Sequence, residues 1–216
     1  MQLLVDPGAH ACQLFENSGE QLETLRHFVK AGLTLGECCV LIVPDESQDD
    51  WYFQLQAYGV DVSEERRRGA LEVLRATDWY SVEGGFRSVA MAQRLWRMIS
   101  VTGTRFAGLR LVSDMTSTIA APLSDDQLCH WEATTNLVLE GSDARAICQY
   151  DLNRHPSAVI HNALRTHPQV VVGGRLLANP YYEAPKILAN EPFLNHSQFD
   201  AEAVETMLTS LRDAAN

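Results

Sequence analysis

The sequence has no excess of positive charge: 17 Lys and Arg stand against 28 Asp and Glu, for a formal net charge of -11. Such a chain repels a phosphate backbone, and no run of basic residues offers a patch that releases counterions on binding. Direct nucleic-acid binding is therefore not expected. The densest basic cluster, Arg66-Arg67-Arg68, follows Glu64-Glu65 and reads as locally neutralised, solvated surface. Long apolar runs are also missing, none approaching the ~18 residues that span a bilayer. The N-terminus lacks a basic stretch followed by an apolar one. The expectation is a cytoplasmic protein without membrane insertion.

The five cysteines, at 12, 38, 39, 129 and 148, make no CxxC motif, and no Cys/His quartet has zinc-finger spacing. Spacing thus offers no metal site and no cofactor, and an odd, scattered set of thiols suggests a reducing compartment. No GxSxG elbow is present to support nucleophilic catalysis. His155 and His161 are six residues apart and do not share one helix face as a metal pair would. His167-Pro168 precedes a strand, and a loop role accounts for it. Repeats, low-complexity tracts and linkers are absent as well, so residues 1–216 are expected to form one domain.

What is present is an average globular composition, with 46% hydrophobic and 21% charged residues. Short apolar runs alternate with helical periodicity, which predicts βα units and a mainly parallel sheet sandwiched by helices, an α/β fold. The clearest strand is Cys38-Cys39-Val40-Leu41-Ile42-Val43, an unbroken run ended by Pro44-Asp45 and suited to burial on both faces. His10–Phe15, Ala70–Leu74, Leu109–Val112 and Ala144–Tyr150 are further strands. Val170–Val172, Gly173-Gly174 and Leu176-Leu177 read as a C-terminal hairpin with a two-residue turn.

Helices are expected between these strands. Ser18 with Gln21, and Ser124 with Gln127, have the spacing of capping boxes. Phe86, Val89, Ala90, Gln93 and Trp96 lie along a helix reaching about Val101. Residues 199–215 form a C-terminal helix whose Val204, Leu208 and Leu211 make an apolar stripe, able to pack on this domain or on a partner. The four tryptophans, Trp51, Trp79, Trp96 and Trp131, fall at helical spacing and read as core, with an apolar pocket as the alternative.

Taken in order, HACQLFENSGEQL, FVKAGLTLGECCVLIVPDES, GLRLVSDMTS, AICQYD and THPQVVVGGRLLANPYYEAP resemble the MEDS domain, the sensory module of methanogens, methylotrophs and the DcmR regulator. The resemblance covers about residues 8–185. It implies a RecA/KaiC-like fold, with the phosphate loop between His10 and Leu22. A working loop needs several glycines, a Lys for the β/γ-phosphates and a Ser/Thr for magnesium. This segment has one glycine and no Lys, and Glu16 and Glu20 bring negative charge where phosphates would sit. The expectation is a RecA/KaiC-like domain without a working P-loop, and not an enzyme.

The resemblance further implies a sensory role with a small, hydrocarbon-derived ligand. The implied partners are a histidine kinase, an anti-sigma factor or a transcription regulator. No helix-turn-helix precedes His10 and no kinase segment follows Asn216, so action in trans, or membership of a longer protein, is expected. Strand-end position selects His10, Asp45, Asp114 and Tyr150 as candidate ligand-binding residues. Asp114 stands where a magnesium-binding Asp would stand, and the plain reading of a strand-end Asp is a turn former. For His10 the plain reading is a hydrogen-bonded structural histidine. A nucleotide-binding protein or weak ATPase is the alternative function, and a purely structural interaction module a third. A sheet-end cavity of roughly 300 Å³ or more would favour a ligand over the interaction module.

Overall fold

The computed structural model describes residues 5–80, 86–119, 124–185 and 201–216. Its strands are β1 (His10–Phe15), β2 (Cys38–Val43), β3 (Leu71–Arg75), β4 (Leu109–Asp114), β5 (Ala144–Asp151), β6 (Gln169–Val172) and β7 (Arg175–Ala178). They form one sheet in the order β3-β2-β4-β5-β1-β6-β7. Every pairing from β3 to β6 is parallel. β7 runs antiparallel to β6 across Gly173-Gly174, whose positive φ angles of 53° and 75° suit residues without a Cβ.

Helices cover both faces, which is why the central strands are apolar on both sides. α1 (Ser18–Thr34), α2 (Gln48–Ala57) and α3 (Val62–Arg68) lie on one face, where Leu25, Phe28, Leu55 and Val62 meet Leu41 and Ile147. The opposite face carries α4 (Ala76–Tyr80), α5 (Ser88–Thr102), α6 (Asp125–Leu139), α7 (Ser157–Thr166) and α8 (Ala201–Ala215). There Trp79, Leu95, Trp131 and Leu164 close over β1, β4 and β5. None of the described helices is long and apolar enough to cross a membrane.

Several local readings shift. The cap of α1 is Asn17 and not Ser18, because Asn17 Oδ1 accepts the Glu20 N–H at 3.1 Å. α6 keeps the expected box of Ser124 and Gln127. α5 turns a different face inward: Met91 and Leu95 are buried, whereas Val89 and Trp96 are 66% and 64% exposed. Apolar residues surround this helix, so periodicity alone did not select the face. Trp79 and Trp131 are core. The Arg66–Arg68 cluster closes α3, where Arg67 and Arg68 pair with Glu64 and Glu65 one turn back.

α8 buries Val204, Leu208 and Leu211 on this domain, against α7 and β6. Residues 199–200 of the expected helix lie outside the described residues. In the interior Arg110 of β4 pairs with Glu37, which also binds Arg145 at 2.9 Å.

Candidate functional site

In a RecA-like fold the phosphate loop joins the first strand to the first helix. Here that connection is only Glu16-Asn17, between Phe15 and Ser18. A helix start offers unpaired N–H groups that attract anions, but this one is occupied by its own side chains. Asn17 Oδ1 accepts from Glu20 N, and Glu20 Oε2 accepts from Glu16 N at 3.0 Å. The Glu20 carboxylate thus occupies the ground a phosphate would need. It gains from the helix dipole as a bound anion would.

The strand-end acid is likewise bonded within the chain. A cation there would be shared between a hydroxyl at the helix start and the strand-end acid. Instead Gln21 Nε2 donates directly to Asp114 Oδ2 at 3.0 Å. The other Asp114 oxygen accepts from Thr116 N at 3.0 Å and Thr116 Oγ1 at 2.6 Å, closing a turn. Beneath them Gln149 Nε2 donates to Gln13 Oε1 and to the Gln21 carbonyl. Gln13 in turn donates to the Glu20 carbonyl. A satisfied amide network of this kind leaves no lone pair facing a vacant pocket.

Asp45, at the end of β2, accepts from the Thr77 N–H at 3.1 Å and the Thr77 hydroxyl at 2.5 Å. The Thr77 hydrogen bonds hold its carboxyl below the usual range. Asp45 therefore ties the β2 turn to α4, apart from Asp114. At the same sheet edge, a cleft of about 310 Å³ lies between the ends of β1 and β5, the β6–β7 turn and α8. Leu14, Leu152, Val172 and Leu208 line it, and the Arg212–Glu16 ion pair stands at its side.

His10 and Tyr150 both reach Glu132, Tyr150 from the carboxyl end of β5 and His10 from the opposite end of β1. His10 opens β1 opposite Ala146, at the amino end of the strand, and is fully buried under α6. Its Nε2 lies 3.3 Å from Glu132 Oε2 and 3.4 Å from Cys148 Sγ. His167, just ahead of β6, puts Nε2 3.4 Å from the same Glu132 oxygen. Tyr150 donates its hydroxyl to Glu132 Oε1 at 3.3 Å, and Cys148 Sγ lies 3.5 Å from Glu132 Oε2. The His10 and His167 rings are stacked at a tilt, with centroids 4.0 Å apart.

Burial dominates the electrostatics of this cluster. It lowers the His10 pKa to about 4, with the His167 neighbour acting in the same sense, so His10 is neutral near pH 7. Burial also pushes the Cys148 thiol and the Tyr150 hydroxyl up, and the Glu132 charge adds to this. Burial alone would raise the Glu132 carboxyl, but the two imidazoles beside it reverse the direction and hold it ionised. His155, by contrast, sits between the carbonyl oxygens of Asp151 and Met115 and has a structural position.

Glu132, Cys148 and His167 were not singled out from the sequence. Glu132 carried a signal, since it falls four residues after Leu128 on the inward stripe of α6. Cys148 shares the period-two face of β5 with Ala146 and Tyr150. His167 gave no local sign, because Pro168 explained it as a loop residue.

The fold and the filled loop together define a RecA-like α/β domain in which the phosphate position is closed by the chain's own side chains. Residues 9–168 match the MEDS family, the methanogen/methylotroph, DcmR sensory domain, and the chain belongs to that family. Among solved structures it is similar to the flagellar accessory protein FlaH from Methanocaldococcus jannaschii. That match has a TM-score of 0.52 and 13% identity, covering 80% of this chain and 76% of that one. The likeness shows the fold alone. No curated protein matches the chain.

Proposed function

We propose that this chain is a non-enzymatic sensory domain that receives a small, partly apolar organic ligand in the cleft at the carboxyl ends of β1 and β5. The observation that carries the reading is the two-residue β1–α1 connection, where Glu20 accepts from the Glu16 N–H and Asn17 caps the Glu20 N–H. A nucleotide would have to break these bonds and the Gln21–Asp114 bond before any phosphate could enter. Membership of a sensory family supports the signalling role.

The cleft supports a ligand because about 310 Å³ falls within the range of small-molecule sites, and its walls mix aliphatic side chains with a charged pair. A hydrocarbon derivative with one polar end suits such walls: Leu14, Leu152 and Val172 would take the chain, and Arg212 the polar end. Occupancy would press on Leu208 and Arg212 of α8, so the signal passes as a change in how α8 packs. The receiver on this reading is a regulatory protein acting in trans: a histidine kinase, an anti-sigma factor or a transcription regulator. Five free, buried cysteines fit a reducing cytoplasm.

Native mass spectrometry of the purified chain tests the ligand directly, with retained small-molecule mass expected at one per chain. Calorimetry with Mg-ATP tests the exclusion. No heat is expected at millimolar nucleotide, and saturable binding would overturn the reading.

A further inference from the structure

Four side chains of metal-ligating type meet in the core, drawn from four separate places in the chain. They are His10 of β1, Glu132 of α6, Cys148 of β5 and His167 ahead of β6, with one donor atom of each within 4.8 Å of all the others. All four are buried. We propose that they form a closed binding site for one divalent transition-metal ion of the zinc class, held by His10 Nε2, Glu132 Oε2, Cys148 Sγ and His167 Nε2.

Four of the six donor-to-donor edges match a tetrahedron. Zinc bonds of about 2.0–2.2 Å to N and O and about 2.3 Å to S imply donor-to-donor edges of roughly 3.3–3.6 Å. The edges here are 3.3 Å for His10–Glu132, 3.4 Å for His167–Glu132, 3.4 Å for His10–Cys148 and 3.5 Å for Cys148–Glu132. The donor set of two imidazoles, a carboxylate and a thiol belongs to zinc-like ions, and excludes calcium and magnesium, which demand oxygen.

A second observation points to a cation. His167 Nδ1 lies 2.7 Å from the Ala163 carbonyl oxygen, so the ring proton of a neutral His167 must sit there. That anchors the ring and leaves Nε2 buried and facing the Glu132 carboxylate at 3.4 Å. A metal ion between this nitrogen and the carboxylate would bond both. A ring whose far nitrogen donates to a backbone carbonyl is also the usual outer support of a metal-bound histidine.

Charge balance agrees. A divalent ion with one carboxylate and one thiolate makes a neutral centre, which removes the cost of an isolated buried carboxylate. Binding would displace the Cys148 proton to solvent as the S–metal bond forms, with no change of oxidation state. A water-sized void of about 10 Å³ between α6 and α7 touches Glu132 and Tyr150 and reaches the half-buried Asp125, marking a way in. The site is distinct from the strand-end cleft and does not depend on its reading.

The test uses the full chain, stripped with a chelator, checked for folding by circular dichroism and titrated with Co²⁺. The expected result is one equivalent bound with thiolate-to-cobalt charge-transfer absorption, displaced by Zn²⁺. Cys148→Ser should abolish that band while the fold persists. His167→Ala should weaken binding by more than the roughly 10–100-fold typical of an outer-shell loss. Folded wild-type chain that binds no Co²⁺ at millimolar concentration would overturn the proposal, as would binding without a thiolate band. A band that survives Cys148→Ser overturns it too, because a different cysteine would then be the ligand.

Discussion

His167 meets Glu132 with Nε2 and Oε2 3.4 Å apart, while its Nδ1 is anchored 2.7 Å from the Ala163 carbonyl oxygen. The ring is thus held from α7 and presents its other nitrogen to α6. A cation between them would clamp both helices onto β1 and β5, and binding to the native state alone adds to stability. At a hundredfold excess of Zn²⁺ over its Kd the gain is about 2.7 kcal/mol. For a chain of this size that is a rise in Tm of about 5–10 °C. Differential scanning fluorimetry of chelated and zinc-loaded chain reads this, and identical melting curves would refute it.

The interior triad of Arg110, Glu37 and Arg145 makes a second prediction. Glu37 is 4% exposed and is the shared partner of both guanidinium groups. Glu37→Gln leaves two buried cations facing a neutral amide, a change expected to cost about 3–5 kcal/mol. Urea denaturation should show the midpoint fall; a variant within the error of wild type would mean solvent reaches the triad.

Gly32 of α1 exists where it does because Arg110 passes beneath it. A Cβ there would lie 2.5 Å from Arg110 Cδ and 2.8 Å from Cys39 Sγ. Although Ala ordinarily favours a helix, Gly32→Ala is expected to destabilise by about 1–3 kcal/mol, because Arg110 is pinned by Glu37 and the Phe28 carbonyl.

Asp114 is predicted to be structural and not nucleotide-linked. Asp114→Ala removes acceptors from Gln21 and from Thr116, an expected loss of about 1–3 kcal/mol in chemical denaturation. Calorimetry with Mg-ATP should be blank for both wild type and variant. Nucleotide binding that vanishes in the variant would restore the magnesium role.

The thiols should be silent in the native state. Burial pushes Cys38 up to about 11 and Cys129 up to about 12, and drives Cys12 and Cys39 higher still. Since the thiolate is the reactive form, alkylation near pH 8 is expected to reach all five cysteines only after unfolding. Rapid labelling of the native chain, mapped by mass spectrometry, would contradict this burial.

Much of the architecture was legible from local pattern. Cys38–Val43 and Leu109–Val112 read as buried strands because both faces of a parallel sheet are covered, and the second runs on to Asp114. The expectation of a non-working phosphate loop rested on residue type, since such a loop needs several glycines and a Lys, and His10 to Leu22 has one glycine and no Lys. The α1 cap was misread by one residue, since Asn17 and Ser18 both suit a cap and only the packed geometry chose. At the site, His10 and Tyr150 were named for strand-end position, yet they share Glu132 as neighbour. Tyr150 directly follows Gln149, the strand partner of Asp114, whereas His10 lies at the far end of the sheet.

By itself the sequence determined the α/β alternation, the strands, the lack of a membrane-spanning helix among the described residues and a β1–α1 segment with one glycine and no Lys. Each of these depends on residue type and period over a few positions. Only the tertiary structure decided that His10 touches Cys148, 138 residues away, and that both face Glu132 and His167. It also decided that α8 folds back over β6 and that α5 hides Met91 and not Trp96. Those outcomes depend on strand register and helix packing, which set distances between residues that no local period connects.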